Sequence, residues 1–418
     1  MSEIENRDVV VGLDIGTTKI CVIVGKKTPE GEVKIIGIGQ TPSKGLRKGV
    51  VINIDEAVLS IKRAVAYAER MSGVKIDSVY TGIAGGHIRS YNSSGVVAIK
   101  NLEVAESDIR RVIDAAKAVA IPPDREIIHI IPQEFIVDDQ AGIKDPRGMS
   151  GTRLEVRVHI VTGAVTNVQN IVKCCQKSGL KVNNIVLQPI ASSQAAVMQE
   201  EKDLGVCLVD IGGGTTDVAV FISNAIKHTS VIALGGDHIT NDIAIGLRTP
   251  FKDAEKIKKE YGCAMASLVD DSEIISIPAV GDRKPRELPR RMLSEIIEPR
   301  VEEIFSLVKE SLDKMGVLPM LASGIVLTGG SALMKGAADL AENSFNLPVR
   351  IGKPTGVVGL KDSVDNPMYA TGVGLVLYGF SQQKSDDDLN ILPNSKGGDD
   401  GLFTTILSKM KSWVREMF

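Results

Sequence analysis

Two acidic residues, each closing an apolar run and each followed by glycine and threonine, are the part of this sequence best suited to chemistry. Asp210 ends the run 206–209, which is apolar and β-prone and reads as a buried strand. Gly212, Gly213 and Gly214 then form a turn in which no Cβ blocks a ligand. Thr215 and Thr216 add hydroxyls, and Asp217 leads into a second strand at 218–222. Such a hairpin tip offers backbone N–H groups to an anion beside a carboxylate, which suits phosphate with a divalent metal. Taken alone, a glycine turn is a common loop. The design recurs near the start of the chain, where Asp14, Gly16, Thr17, Thr18 and Lys19 separate the apolar runs 10–13 and 20–22. The two copies align on their Thr-Thr pairs once glycine is dropped from the second. A duplicated motif implies two similar domains facing across a cleft, each lending one hairpin to the same phosphates.

Positioning two such hairpins takes a long chain with full cores. At 418 residues the chain is long enough for two to four domains, and 43% hydrophobic content is enough to fill them. Lys plus Arg number 49 and Asp plus Glu 52, a net charge of −3 that gives no reason to expect nucleic acid along the surface. The five cysteines, Cys21, Cys174, Cys175, Cys207 and Cys263, form no C-x-x-C pair and suit a reducing compartment better than a metal site. His87, His129, His159, His228 and His238 are scattered and read as structural. Residues 1–8 are polar, without a signal-peptide pattern. No run reaches the roughly 18 to 20 apolar residues of a membrane span, so any membrane contact is expected to be peripheral.

The supporting elements follow in order. Strands are expected at 9–13, 20–24 and 33–38, then an amphipathic helix over 55–71 with Asp55 as its cap, and a strand at 79–84. Residues 86–162 read as a small inserted domain: a short strand at 96–99, a helix at 108–118, strands at 126–137 and 153–161, and a loop of turn formers between them at 139–151. A helix at 166–178, a strand at 182–187 and a helix opening at Gln188-Pro189 return to the first domain. After the central hairpin come a strand at 225–234, a glycine turn feeding a helix from Gly235, a helix at 253–261, a strand at 275–280 and a long helix at 296–315. A strand at 325–328 meets the third glycine turn, Gly329-Gly330-Ser331, and a strand at 349–351 precedes an apolar helix at 369–379. Residues 381–400, with three consecutive aspartates and several glycines, read as a flexible linker before a distinct segment at 401–418.

The paired hairpins resemble the phosphate loops of the actin, Hsp70 and sugar kinase superfamily. Residues 14–21, 188–197, 208–221, 325–340 and 369–379 match, in order, its five nucleotide-site segments. Further stretches resemble the FtsA family of bacterial cell-division proteins: 129–135 (His-Ile-Ile-Pro-Gln-Glu-Phe), 142–146 with 148–151, 204–207 and 297–300. The resemblance spans nearly the whole chain. It implies an α/β, actin-like (ribonuclease H-like) duplicated fold with four subdomains around a nucleotide cleft. The first large subdomain would comprise 1–85 and 163–203, completed by 369–380. The second would comprise 204–236 and 318–368, with 237–317 as its small subdomain and 86–162 as the insert.

The same resemblance assigns roles. ATP with Mg²⁺ is the expected ligand. Thr17, Thr18, Lys19 and the turn from Gly212 to Thr215 would cradle phosphates with Gly16, while Asp14 and Asp210 would hold the waters of Mg²⁺, which keeps most of its hydration shell. Gly236 and the Glu255/Lys258 helix face would meet adenine and ribose, although three-apart charges on a helix are more often a plain ion pair. Gly329, Gly330 and Ser331 would form the adenine wall; a third glycine is frequent at Ser331, and serine is small enough to preserve the site. Gln188 is the one weak catalytic candidate, so ATPase activity is expected to be at most weak. The implied function is a polymer-forming protein that tethers FtsZ filaments to the cytoplasmic membrane at the septum and recruits later division proteins through the insert. The FtsZ tail would dock on the small subdomain, with Arg286, Arg300 and Glu303 as candidates beside Arg290 and Arg291. A chaperone would need a peptide-binding domain after the ATPase, and a shape-determining filament protein would keep an actin-type subdomain in place of the insert.

The last segment argues for a membrane surface. At 100° per residue, Leu402, Phe403, Ile406, Leu407, Met410, Trp413, Val414, Met417 and Phe418 fall on one arc of about 160°. Lys409, Lys411 and Arg415 lie on the other side, where they can meet anionic lipid, while Trp413 and Phe403 suit the headgroup boundary. A linker over 381–400 would span roughly 25 Å, which frees the helix from the body. Trp413→Glu sets a charge within the apolar arc. It should abolish co-sedimentation with anionic vesicles, and wild-type levels of binding would remove the anchor from this segment.

Overall fold

The computed structural model describes residues 8–277 and 285–389. Two sheets of matching topology carry the chain. In the first, Val9–Ile15, Lys19–Lys27 and Val33–Pro42 form an antiparallel meander. Ser78–Ile83 pairs parallel to Val9–Ile15, and Lys181–Leu187 parallel to Ser78–Ile83. In the second, Val206–Ile211, Thr216–Ile222 and Ala225–Ile232 make the same meander. Ile325–Thr328 pairs parallel to Val206–Ile211, and Val349–Ile351 to Ile325–Thr328. Both sheets thus run meander, parallel strand, parallel strand. The central strands Val206–Ile211 and Thr216–Ile222 are buried throughout, as strands covered on both faces must be.

The flanking elements show where local sequence decides and where packing does. The helix Ile54–Ser72 is capped by Asn53, whose Oδ1 accepts the Glu56 N–H at 3.2 Å; the expected cap, Asp55, instead lies in the first turn, where its charge complements the helix dipole. The helix Arg290–Lys314 begins earlier than the expected 296 and carries Pro299 within it. Its buried side runs through Leu293, Ile297, Val301, Phe305 and Leu312.

The insert has its own core. Arg89–Ala98, Arg153–Ala164, Arg125–Val137 and Gln140–Ile143 form a four-stranded sheet in that spatial order, covered by the helix Glu106–Lys117. Ile109, Val112, Phe135, Leu154 and Val158 make a hydrophobic cluster separate from the two larger ones. Two expectations are corrected. The short strand at 96–99 is the long strand Arg89–Ala98, whose polar first half is held extended by pairing with Arg153–Ala164. The loop expected at 139–151 contains the strand Gln140–Ile143, hairpinned onto Arg125–Val137.

The helix Ala370–Leu389 lies in the seam of the molecule against Gln188–Ala196. A Cβ on Gly374 would stand 1.8 Å from the carbonyl oxygen of Ala191, so only glycine lets the two backbones come this close. The helix corrects the linker expected from 381: residues 381–389 are helical, a stretch with neither glycine nor proline to end it. The rest of the expected linker and the amphipathic segment 401–418 lie outside the described residues.

Candidate functional site

The two hairpin tips are equivalent residue for residue. Asp14 pairs with Cys21 and Asp210 with Asp217 across their strands. Each turn is closed alike, by Gly16 N–H to Lys19 O at 3.0 Å and by Gly212 N–H to Thr215 O at 2.9 Å. Thr17 therefore corresponds to Gly213, Thr18 to Gly214 and Lys19 to Thr215. This corrects the alignment on Thr-Thr pairs: no glycine is dropped. The glycines stand where the first turn has threonines because the tips touch. A Cβ on Gly213 would be 2.3 Å from Thr18 Cγ2, and one on Gly214 2.4 Å from Thr17 Oγ1.

Three carboxylates sit beneath the tips. Asp14 is buried, and among the described residues its Oδ1 accepts a single 3.3 Å hydrogen bond, from Gln188 Nε2. Burial pushes its pKa up to about 6, against the pull of Lys19 and with a further push from Asp210. Asp210 is also raised by burial, but its Oδ2 accepts from Ser192 Oγ at 2.6 Å and Thr371 Oγ1 at 3.2 Å, which hold it partly down. Asp217 is raised well above the ordinary carboxylate value, by burial and then by Asp210. Its Oδ2 accepts from Thr215 Oγ1 at 2.9 Å, while its Oδ1 is buried without a hydrogen-bond partner. Among the described residues no group of three or more His, Cys, Asp or Glu side chains is arranged to hold a metal directly.

The helices Gly236–Gly246 and Phe251–Tyr261 add a further wall to the site. Gly236 N–H donates to Gly212 O at 2.9 Å, so the helix Gly236–Gly246 starts on the second turn. Lys258 Nζ donates to Gly236 O at 2.9 Å and Thr240 Oγ1 at 2.8 Å and pairs with Glu255 at 2.7 Å. The pair holds the Glu255 carboxyl below its ordinary value despite the opposing effect of burial. Gly329, with φ of +85°, turns the chain from its strand into Gly330 and Ser331, and a Cβ on Gly330 would meet open space.

One cleft of about 590 Å³ is lined by Asp14, Gly16 through Lys19, Gln188, Asp210, Gly212 through Thr215, Gly236, Glu255, Lys258, Gly329, Gly330 and Ser331. The volume suits a small ligand. Sequence reasoning missed several participants. Ser192 and Thr371, which hold Asp210, lie inside segments already matched to the site, yet nothing in their types announces contact with an acid. Gly49 reaches the cleft from a short hairpin that carries no motif. Lys19 turns its ammonium onto the Met368 carbonyl and over the Tyr369 ring at 4.5 Å. The candidate partner residues Arg286, Arg300 and Glu303 lie outside the cleft and are engaged with neighbours of their own. Arg300 forks onto Asp242, with Nε 2.6 Å from Oδ2, and also pairs with Glu303, while Arg286 donates to the Leu247 carbonyl. The expected membrane residues, Leu402 to Phe418, lie outside the described residues.

Duplicated sheets around such a cleft are the fold of the actin-like ATPases. The structure matches the PilM-PilN type IV pilus biogenesis complex with a TM-score of 0.65 at 17% identity, over 89% of this chain and 98% of the other. It matches MreB5 of Spiroplasma citri bound to ADP with a TM-score of 0.57 at 17% identity, over 91% and 98%. The family model for cell division protein FtsA matches residues 207–374, and the model for the SHS2 domain inserted in FtsA matches 85–162. Full-length relatives include cell division protein FtsA of Pseudomonas aeruginosa, 49% identical over 418 residues and 100% of both chains. That of Escherichia coli K12 is 41% identical over 426 residues, again covering 100% of both. The chain belongs to the FtsA family of cell division proteins.

The buried carboxyl groups give the protein a pH signature. Asp14 keeps its proton in the fold up to about pH 6, whereas the unfolded chain releases it near the ordinary value of 3.8. Between these values the native state binds more protons, so this contribution to stability is lost as pH rises. Asp14→Asn removes the burden. Relative to wild type, the variant should gain on the order of 2 kcal/mol between about pH 4 and pH 7. Denaturant midpoints across that range measure the gain, and a gap that does not change with pH would mean Asp14 is already ionised in the empty cleft.

Proposed function

We propose that this chain binds Mg-ATP in the cleft, polymerises like actin, and tethers FtsZ filaments to the cytoplasmic face of the inner membrane at the division septum. Later division proteins would be recruited through the insert at 86–162. The observation that carries the reading is the meeting of both glycine turns, both strand-end aspartates and the Glu255–Lys258 pair in one cleft, in a chain of the FtsA family. The structural neighbour from Spiroplasma citri, of the same fold, is bound to ADP in one structure and to AMPPNP in another.

The residues fit the group. The open backbone at Gly330 leaves room for a flat base against the wall formed with Gly329 and Ser331. Glu255 and Lys258, already fixed on one another, offer an acceptor and a donor to the sugar side. The two turns enclose the phosphates from both halves. Asp14, with one long hydrogen bond, and Asp217, with an orphaned Oδ1, have unused acceptor capacity toward a hydrated cation. Asp210 is steadied by Ser192 and Thr371 for the same task. When bound, Mg²⁺ would neutralise phosphate charge and favour the ionised carboxylates. Gln188, beside Asp14, can orient a water, but no residue in the cleft stands out as a general base, so turnover is at most weak.

Two experiments test this reading. Mg-ATP should raise the melting temperature of the wild type, in line with the roughly 2.7 kcal/mol that a ligand adds at 100 times its dissociation constant. Asp210→Ala should gain much less, and equal gains would take the metal role from Asp210. For the partner, vesicle co-sedimentation should carry an FtsZ tail peptide down with the wild type. Arg300→Glu should weaken that capture about tenfold with the ATP shift intact. Because Arg300→Glu also sets an acid against Asp242, Glu303→Ala is the gentler companion. Undiminished capture by both would move the docking site elsewhere.

A further inference from the structure

A short hairpin that no motif announces brings a lysine to the meeting point of the two phosphate turns. Leu46–Arg47 and Val50–Val51 pair antiparallel, leaving Lys48 and Gly49 as a two-residue tip. Both have positive φ, 49° and 75°, as the tightest hairpin turns require. Asparagine or glycine is the comfortable residue at the first of these positions, and a lysine held there is a strained choice. Strain of this kind persists where the side chain has a use.

The tip touches both halves of the site. Gly49 N–H donates to Thr17 Oγ1 at 3.0 Å in the first turn. A Cβ on Gly214 of the second turn would lie 2.9 Å from Lys48 Cα. Gly49 itself lines the cleft. The Lys48 charge is also close enough to the helix Gly236–Gly246 to lower the pKa of His238, after the larger effect of burial. His238 stands in the first turn of the helix Gly236–Gly246 and accepts the Gly235 N–H at 3.2 Å.

Three other lysines of the cleft already have partners, while Lys335 lines it two residues after the Gly330–Leu333 turn. Lys19 is held by the Met368 carbonyl and the Tyr369 ring, Lys258 by Glu255, Gly236 and Thr240, and Lys259 by Glu255. Lys48 is exposed, and among the described residues its ammonium has neither a hydrogen-bond nor an ion-pair partner. A third phosphate adds negative charge to a cleft that contains three buried carboxyl groups, so an uncommitted cation at its edge has a place to go.

We propose that Lys48 is a positioning residue for the terminal phosphate of a nucleoside triphosphate, drawn onto it when the third phosphate is present and idle with a diphosphate. The hairpin then reports the third phosphate to both halves at once, through Thr17 on one side and Gly214 on the other. This inference rests on the nucleotide reading of the cleft.

The test is calorimetric titration of the full chain, with Mg²⁺, by ADP and by the slowly hydrolysed analogue AMPPNP. Lys48→Asn suits the left-handed turn and removes the charge. It should bind ADP as the wild type does and AMPPNP about tenfold more weakly, the order expected for one charge-assisted phosphate contact. Lys48→Arg keeps the charge and should restore most of the AMPPNP affinity, which a merely structural role for the tip would not predict. Equal weakening toward both nucleotides, no weakening toward either, or an arginine variant as weak as the asparagine one would overturn the proposal. A wild type that binds neither nucleotide would sink the nucleotide reading and this inference with it, whereas the other outcomes leave that reading standing.

Discussion

The constraint on which this molecule depends is the contact between two turns that belong to different halves of the chain. Thr17 and Thr18 project into space that Gly213 and Gly214 leave empty, and neither turn could close with side chains on both. The two large sheets outward from that contact are duplicated because the contact is. Each turn needs a strand that ends in an acid and a strand that leaves antiparallel, and each pair needs parallel neighbours to hold it in a sheet. The two meanders with their two parallel strands meet that need twice over.

Burying carboxyl groups beneath the turns has a cost that the surroundings only partly offset. Asp210 is the best supplied, with hydroxyls from Ser192 and Thr371. These two hydroxyls also meet each other at 3.0 Å. Ser192 lies on the helix Gln188–Ala196 and Thr371 on Ala370–Leu389, the pair that Gly374 lets approach so closely. An acid of the second half is thus held by two helices packed on one another, of which Gln188–Ala196 meets strands of both sheets. Asp14 and Asp217 are less well supplied, and each keeps acceptor capacity that its surroundings do not use.

Much of this was legible in the residues. Buried strands such as Val206–Ile211 announce themselves as apolar runs, and the helix Ile54–Ser72 by its period, because both patterns reflect burial directly. All the residues expected to meet in the cleft lie along it, since a glycine turn after an acid is a local pattern. What stayed hidden depends on distant partners. Residues 89–94 are polar and become a strand only because Arg153–Ala164 lies alongside. The correspondence of Thr17 with Gly213 follows from hairpin register, which a match by residue type misaligned. The positive φ of Lys48 leaves no trace in its side chain, and the grip of Arg300 on Asp242 joins residues far apart in the chain.

The insert adds a second bridge between the halves, away from the cleft. Its sheet meets the edge strand Ala225–Ile232 through polar contacts: Ser90 Oγ donates to Thr229 O at 2.6 Å, and Gln133 Nε2 to Ile226 O at 2.7 Å. His159 sits at the centre, with Nδ1 2.8 Å from Asn92 Oδ1 and Nε2 2.9 Å from Thr229 Oγ1. Burial lowers its pKa to about 3, so the ring is neutral and donates to Asn92 while accepting from Thr229. An edge strand left bare would be a template for pairing with another chain. Here side chains cap its carbonyls instead, which covers the edge without extending the sheet. Ala225–Ile232 leads directly into the Gly235–Gly236 turn that rests on the second glycine turn. The insert therefore grips the strand that positions one side of the cleft, and any shift of the second half on its ligand must be shared with the insert or break these contacts.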